Sequence, residues 1–144
     1  MTIKCEIVSQ DRLVFQGDVD MVDLPGAAGE MGILPHHAPI LTVLNYGIIT
    51  VKHSGKEEHF TVAGGVAEVQ PDQVTILADA AENVEEIDVQ RATLARQRAE
   101  EHLKQLQTVD KDRYMVMLSA LKRSNLRLQA VNKYKSDFKK KDIH

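Results

Sequence analysis

The sequence predicts a mixed β and α fold, in which an N-terminal antiparallel β-sandwich or barrel of about eight to ten strands precedes a C-terminal antiparallel hairpin of two helices. Apolar residues alternate with period two from Ile3 to Ala78 and recur with helical spacing after Glu86. The charge changes at the same place, because residues 1–86 carry 4 basic and 14 acidic side chains, whereas residues 111–144 carry 10 basic and 3 acidic. We therefore predict a β domain at residues 1–86 and a helical domain at residues 87–144.

Period-two runs mark the strands of the first domain: Ile3-Lys4-Cys5-Glu6-Ile7, Ile48-Ile49-Thr50-Val51-Lys52, Glu68-Val69 and Val74-Thr75-Ile76-Leu77. Turn residues recur between such runs, at Gln16-Gly17-Asp18, Pro25-Gly26, Asn45-Tyr46-Gly47, His53-Ser54-Gly55-Lys56 and Gln70-Pro71-Asp72. Residues 31–51 carry no Asp, Glu, Lys or Arg, but their prolines and glycines argue against a membrane span. We interpret this stretch as two short buried strands joined by a turn at residues 45–47.

Steps of three and four residues mark two amphipathic helices. The first helix places Val89, Ala92, Ala95, Ala99, Leu103 and Leu106 on one stripe, and the second does the same with Tyr114, Met117, Leu121, Leu128 and Val131. The connection at residues 108–111 is short enough for an antiparallel hairpin. The small alanines of the first helix should let the second helix approach closely.

The sequence contains none of the common catalytic motifs. It has no phosphate-binding loop, no Gly-x-Ser-x-Gly and no His-Glu-x-x-His. His36 and His37 are adjacent, so on extended backbone their side chains diverge, and we interpret them as polar loop or interface residues instead of metal ligands. The single Cys5 and the lack of a signal peptide indicate a reducing compartment.

The start of the first helix combines a cap with an unfavourably placed cation. Asp88 is a good N-cap, and Ile87 and Ala92 have the spacing of a hydrophobic staple. Arg91, however, lies in the first turn, where the helix dipole favours an anion. A folded hairpin could gather it with Arg98 and with Arg123 and Arg127, an i, i+4 pair, around a phosphate chain. The alternative is a capped helix with solvated arginines.

Two segments, Gly29-Glu30-Met31-Gly32-Ile33-Leu34-Pro35-His36-His37-Ala38-Pro39 and Phe60-Thr61-Val62-Ala63-Gly64-Gly65-Val66-Ala67-Glu68-Val69, closely resemble the epsilon subunit of rotary F-type ATP synthases, of the bacterial type. The resemblance covers nearly the whole chain, although the family usually has glycine where this chain has His36. It implies a non-catalytic central-stalk subunit that couples proton translocation by the c-ring to ATP synthesis. By position, Glu30 would lie toward the c-ring and His37 near gamma. Without the resemblance, the sequence favours an ordinary solvated carboxylate at Glu30.

The resemblance also implies a regulatory ligand. The pattern from Ile87 to Ala92 is similar to the Ile/Leu-Asp-x-x-Arg-Ala motif that binds ATP in some bacterial epsilon subunits. The matching positions are Ile87, Asp88, Arg91, Ala92, Arg98, Arg123 and Arg127, with Glu82 a weaker candidate. We expect no required cofactor and no ATP hydrolysis, because no phosphate loop or pair of metal-holding carboxylates accompanies the motif. In the family the C-terminal helices regulate hydrolysis by reaching the alpha and beta subunits.

Other functions remain as alternatives. Nucleic-acid binding by the basic second helix and Lys139-Lys140-Lys141 is poorly supported, because Tyr114, Tyr134 and Phe138 are the only rings in that half. A free-standing nucleotide-sensing or other anion-binding module is the main alternative. The expected location is the cytoplasmic face of the cell membrane, as a peripheral protein without a transmembrane segment, or else the stromal face of a chloroplast thylakoid.

Overall fold

The structure is a computed structural model that describes residues 1–10, 12–106 and 110–135. The chain divides into two compact units, Met1–Val84 and Glu85–His144. The described residues of the first unit form eight strands: β1 (Ile3–Ser9), β2 (Arg12–Val19), β3 (Met21–Gly26), β4 (Gly29–Ile33), β5 (Ile40–His53), β6 (Lys56–Val69), β7 (Gln73–Ala78) and β8 (Ala81–Asn83). A 3₁₀ turn at Val84–Glu86 leads to α1 (Val89–Leu106) and α2 (Lys111–Tyr134).

The strands form the predicted sandwich because β6 belongs to two layers. Its first part pairs with β8 around Thr61, and its last part pairs with β7 from Gly65 to Val69. β5 accompanies β6 along its whole length, so one layer has the order β2-β1-β7-β6-β5 and the other β8-β6-β5-β3-β4. The fully buried side chains, including Ile7, Val22 and Phe60, come from both layers and form one core.

Three details differ from the sequence prediction. β1 pairs in parallel with β7, so the sheet is mixed at this position. The reason is topological, because β1 already has its antiparallel hairpin partner β2 on one side, and the chain returns to its other side only after passing through the second layer. The predicted turn at residues 45–47 is wrong. β5 runs through it, paired with β6 on both sides of Asn45.

The predicted turn at residues 16–18 is also wrong, because Gly17 pairs with Cys5 inside β2. The turns at Ser54-Gly55 and at residues 70–72 lie where the sequence predicts them. The difference arises because glycine and asparagine permit a turn without requiring one, and pairing on both sides of the segment decides.

Gly64 and Gly65 explain how β6 passes from one layer to the other. Both have positive φ, 88° and 133°. A Cβ on Gly65 would overlap the carbonyl oxygen of Leu77 in the neighbouring strand. Only glycine adopts the φ of residue 65 without strain, so the Gly-Gly pair sets the bend that closes the sandwich.

The second unit is an antiparallel helical hairpin, as predicted. Asp110 caps α2, its side chain accepting a hydrogen bond from the Arg113 N–H, so the helix begins at Lys111 within the predicted connection. α1 and α2 pack against each other, and Ala92 and Ala99 are buried. The rest of the predicted connection and the lysine run at 139–141 lie outside the described residues.

Candidate functional site

The N-terminus of α1 holds the first predicted site residues. The Asp88 Oδ1 accepts a hydrogen bond from the Arg91 N–H at 3.1 Å, and the first regular helical bond joins the Ala92 N–H to Asp88 O at 3.0 Å. Asp88 therefore caps the helix, while the Arg91 side chain is exposed. No acidic residue occupies the first turn of α1, so the positive end of this helix dipole has no carboxylate from that turn beside it.

Helical geometry places Arg91 and Arg98 on the same side of α1. Each arginine precedes a buried alanine, Ala92 or Ala99, by one residue. Since an α-helix turns by about 100° per residue, both arginines project about 100° to one side of the buried stripe. The seven-residue spacing separates them by about 10 Å along the axis.

On α2 the two predicted arginines follow the same pattern. Arg123 precedes the buried Ser124 by one residue, and Arg127 precedes the buried Val131 by four. They lie about 100° and 60° from Ser124 in the same rotational sense as the arginines of α1. Both are half-buried. Arg127 also takes part in interactions within the protein.

The antiparallel arrangement brings these four arginines to one flank of the hairpin. Facing antiparallel helices are related by a twofold axis perpendicular to their common plane, so equal rotations from the seam reach the same flank. Lys135 bonds to Ile87, which fixes the axial register. At 1.5 Å per residue, the distance along the axis from the end where Ile87 and Lys135 meet is then about 6 Å for Arg91, 12 Å for Arg127, 16 Å for Arg98 and 18 Å for Arg123. We call these four residues the arginine flank.

The other arginines of the hairpin form local ion pairs. Arg96 lies 3.9 Å from the Glu100 carboxylate, and Arg113 lies 3.8 Å from Asp110. Arg96 is four residues after Ala92, so it projects from the side of the buried stripe opposite the arginine flank. Such exposed pairs contribute little to stability, but they make Arg96 a matched control for the flank.

The remaining predicted ATP residues divide between the two units. Ile87 and Ala92 are buried in the second unit, beside the cap. Glu82 lies in β8 of the first unit, paired with Thr61 of β6. All the predicted ATP residues except Glu82 therefore lie in the hairpin, and Glu82 belongs to the other compact unit.

Sequence reasoning missed Lys135. Its Nζ donates a hydrogen bond to the backbone carbonyl of Ile87 at 2.7 Å, across 48 residues. The basic residues near the C-terminus were considered only for nucleic-acid binding. The antiparallel hairpin was the usable signal, because it places the end of α2 beside the start of α1.

Glu30 and His37 occupy the segment around β4. Glu30 is exposed in β4, opposite Pro25 of β3, next to the hairpin tip at residues 27–28. His37 is half-buried, and its backbone N–H donates a hydrogen bond to the backbone carbonyl of Leu34 at 3.2 Å. Its Nδ1 lies 2.7 Å from Ala38 O. His36 has a φ of 66°, so the position where glycine was expected does adopt the left-handed conformation.

An apolar row on the outer face of the first unit was also missed. Strand register places Leu13, Val8, Leu77, Val66 and Val43 side by side across β2, β1, β7, β6 and β5. The side chains of Leu77 and Val43 are 52% and 59% exposed. Alternation predicted strands here, but only the register shows that apolar residues of five strands are neighbours. We call these five residues the apolar row.

Within the described residues, no group of three or more His, Cys, Asp or Glu side chains is placed to hold a metal ion. Burial, and to a lesser extent the neighbouring Glu6, raises the pKa of the Cys5 thiol to about 12. No helix in the described ranges has the length and apolarity needed to cross a membrane.

Comparison with known families matches the two units separately. Residues 2–84 match the beta-sandwich domain of the ATP synthase delta/epsilon chain, and residues 85–132 match the long alpha-helix domain of the same chain. The chain is 46% identical over 132 residues to the ATP synthase epsilon chain of Bacillus pumilus, covering 92% of this chain and 98% of that one. It is 51% identical over 102 residues to the epsilon chain of Pelotomaculum thermopropionicum, covering 71% and 76%.

Solved structures show the same fold. One chain of the mitochondrial ATP synthase of Euglena gracilis superposes with a TM-score of 0.64 at 23% identity, covering 99% of this chain and 82% of that one. A chain from the central stalk and c-ring of the Tetrahymena thermophila mitochondrial ATP synthase gives 0.55 at 11% identity, covering 91% and 97%.

Proposed function

The chain belongs to the family of epsilon chains of F-type ATP synthases, and on that premise we propose that it is a non-catalytic rotor subunit. In this proposal its sandwich joins the gamma subunit to the c-ring, so that proton translocation and ATP synthesis are coupled through rotation. Its hairpin binds ATP and regulates hydrolysis by the alpha and beta subunits. The protein would lie at the cytoplasmic face of the cell membrane without crossing it.

The apolar row is the observation that carries the docking part of the proposal. Five neighbouring apolar side chains on a sheet face, three of them more than half exposed, form the kind of surface that marks a protein interface. The row reaches β5, and Leu41 on the same face of that strand is 71% exposed. We propose that gamma covers this surface, and that His37 contacts gamma while Glu30 faces the c-ring.

Leu77→Glu tests the docking, because it places a charge in the apolar row at an already exposed position. We expect co-purification of the variant with gamma to fall by at least about tenfold, since an interface would have to desolvate the new carboxylate. Leu94→Glu in α1 is the matched control, because Leu94 is also 52% exposed. Equal recovery of gamma with both variants would contradict the docking.

Cysteine crosslinking tests the orientation. Glu30→Cys should crosslink to a c-ring loop and His37→Cys to gamma. The natural Cys5 is buried and its thiol pKa is raised, so it should not compete for the reagent. Free labelling of both new cysteines in the assembled enzyme would show that this segment faces solvent.

We propose that ATP binds along the arginine flank, with its phosphates between the helices. Four arginines whose backbone positions span about 12 Å along the hairpin, and which alternate between the two helices, suit a chain of phosphates. A ligand that binds only the compact hairpin stabilises it by RT ln(1 + [ATP]/Kd), about 2.7 kcal/mol at a hundredfold excess over Kd. Low ATP would then release the hairpin to inhibit hydrolysis.

Arg91→Ala and Arg123→Ala test the nucleotide site. Each should weaken ATP binding by at least about tenfold in calorimetry, because each removes a charge-assisted contact. Arg96→Ala is the control, since Arg96 pairs with Glu100 on the opposite side of α1. An unchanged affinity in both flank variants would exclude this site.

Deletion of residues 87–144 separates coupling from regulation. The core cluster of the sandwich contains only residues of the first unit, so the truncated chain should fold and still assemble with gamma. Assemblies with the truncated chain should hydrolyse ATP faster than full-length assemblies at low ATP. Equal rates would contradict regulation by the hairpin. A free-standing nucleotide sensor, the alternative, would not associate stoichiometrically with gamma.

A further inference from the structure

Lys135 joins the two ends of the hairpin. The residue caps the C-terminus of α2, where its N–H donates to Val131 O at 3.0 Å. Its half-buried side chain then reaches Ile87 O, immediately before the start of α1. One residue therefore ends the second helix and contacts the first.

The Ile87 carbonyl needs a donor from outside its own helix. In a continued helix its partner would be the N–H of Arg91, four residues later. That N–H instead donates to the Asp88 side chain as part of the cap. Ile87 is only 2% exposed, and a buried carbonyl without a partner is costly. Lys135 supplies the hydrogen bond that the capping arrangement leaves unmade.

The positive charge of Lys135 interacts favourably with the C-terminal end of the α2 dipole and unfavourably with the N-terminal end of the α1 dipole. A cation at a helix C-terminus is favourable, whereas a cation near a helix N-terminus is not. In the closed hairpin these two helix ends are adjacent, so Lys135 lies where the negative end of α2 offsets the positive end of α1. When the hairpin opens, the contact with Ile87 is lost and the interaction with α2 remains.

We propose that Lys135 is a clasp that holds the hairpin in its compact form and positions Ile87 and Asp88 for the nucleotide site. The clasp is a property of the hairpin alone, while its regulatory consequence rests on the proposed function. In this proposal Lys135 acts through Ile87 and does not itself contact ATP, so it is a positioning residue. Its loss should raise the fraction of open hairpin and raise the ATP concentration that is needed to keep the hairpin closed.

Amide hydrogen exchange in the full chain without ATP tests the clasp. Most of the stability of a helix in a protein comes from tertiary packing, so opening of the seam should expose the amides of the buried Ala92 and Ala99. Lys135→Met should accelerate their exchange by about tenfold, the effect typical of losing one charge-assisted hydrogen bond. Lys135→Arg retains a donor and should restore most of the protection.

Lys133→Met is the matched control, because Lys133 is exposed and its Nζ lies over the Tyr134 ring at 5.2 Å instead of reaching α1. Its exchange rates should stay within about twofold of the unmodified chain. Equal rates in Lys135→Met and Lys133→Met would overturn the clasp. Failure of Lys135→Arg to restore any protection would also overturn it, because a charge-assisted donor would then not be the cause.

Repeating the measurement with ATP separates the clasp from the proposed function. ATP at a hundredfold excess over its Kd should slow exchange in the unmodified chain by up to about a hundredfold. If ATP has no effect there, the nucleotide part of the proposed function fails. The comparison of the three lysine variants is made without ATP, so it decides the clasp in either case.

Discussion

The sandwich and the hairpin bury different kinds of residue. The sandwich packs Phe60, isoleucines, leucines and valines at 0–3% exposure between two layers, whereas the buried residues on α1 are two alanines. Burial stabilises by about 0.8 kcal/mol per CH₂ group, so an alanine seam holds its partner far less strongly than a core of large side chains. We infer that the first unit keeps one shape, whereas the two helices of the second unit can separate at a moderate cost in free energy.

The two units also place their functional groups differently. The sandwich presents the apolar row on a sheet face whose register is fixed by pairing on both sides. The hairpin presents the arginine flank beside a seam that must stay closed for the arginines to be together. A fixed surface suits permanent docking, and a conditional one suits a ligand-dependent switch.

The largest effect should come from Gly65→Ala, which tests whether the sandwich tolerates only one shape. The new Cβ would overlap Leu77 O, and the φ of 133° is strained for any side chain. We expect a loss of at least about 3 kcal/mol in the free energy of unfolding, measured with urea.

Gly55→Ala is the control for that measurement. Gly55 also has a positive φ, 76°, but a Cβ there would meet nothing within 4 Å. It should cost only about 1–2 kcal/mol. If the two variants lost the same stability, backbone conformation alone would account for Gly65, and the close approach of β6 and β7 would not matter.

Ala99→Leu should have the next largest effect, and only on the hairpin. Ala99 is 3% exposed, and three extra carbon atoms in a close seam typically cost about 1–3 kcal/mol. Hydrogen exchange should accelerate throughout α1 and remain unchanged in the core strands. Gln97→Leu, at an exposed position of the same helix, should leave both unchanged. Acceleration in the core strands would show that the units do not unfold separately.

The free energy of unfolding should fall at alkaline pH because the Cys5 thiol is buried in the sandwich. The pKa of Cys5 is raised from 9.0 to about 12, so above pH 9 the unfolded state loses this proton while the folded state retains it. Folding then binds a proton, and stability falls as pH rises, by about 1.4 kcal/mol between pH 8 and pH 10. Cys5→Ala should lack this component in urea unfolding at the two pH values. Identical pH dependence in both proteins would contradict the burial of the thiol.

The sequence predicted the order of strands and helices because period two and period 3.6 are local properties. It could not predict that β5 continues through Asn45 or that β1 and β7 run in parallel, because partners distant in the chain decide both. The division into units at Val84 lies close to the predicted boundary after residue 86, where charge and periodicity both change.

The candidate site shows the same limit. Asp88 and Arg91 stand out locally, as a cap followed by a misplaced cation. The apolar row and the Lys135 contact combine residues that are far apart in the sequence, with Lys135 and Ile87 separated by 48 positions. Only the sheet register and the hairpin register bring such residues together.

The smallest effect, about 0.5–1 kcal/mol, concerns the loop after β4, where His36 holds a φ of 66°. Histidine is strained in the left-handed conformation, and His36→Gly removes that strain. Glycine is also more flexible in the unfolded chain, which cancels only part of the gain, so the isolated protein should become more stable. His37→Gly should do the opposite, because φ of His37 is not positive and its imidazole contact with Ala38 O is lost. Adjacent substitutions to the same residue should therefore shift the urea midpoint in opposite directions.

If His36→Gly also destabilises the protein, the hydrogen bond from the His36 backbone N–H to Pro71 O at 2.8 Å would not be enough to hold the loop. The imidazole of His36 would then have to stabilise the loop as well. The loop would then be part of the rigid sandwich surface through its side chains, and no longer a strained segment tolerated at its edge.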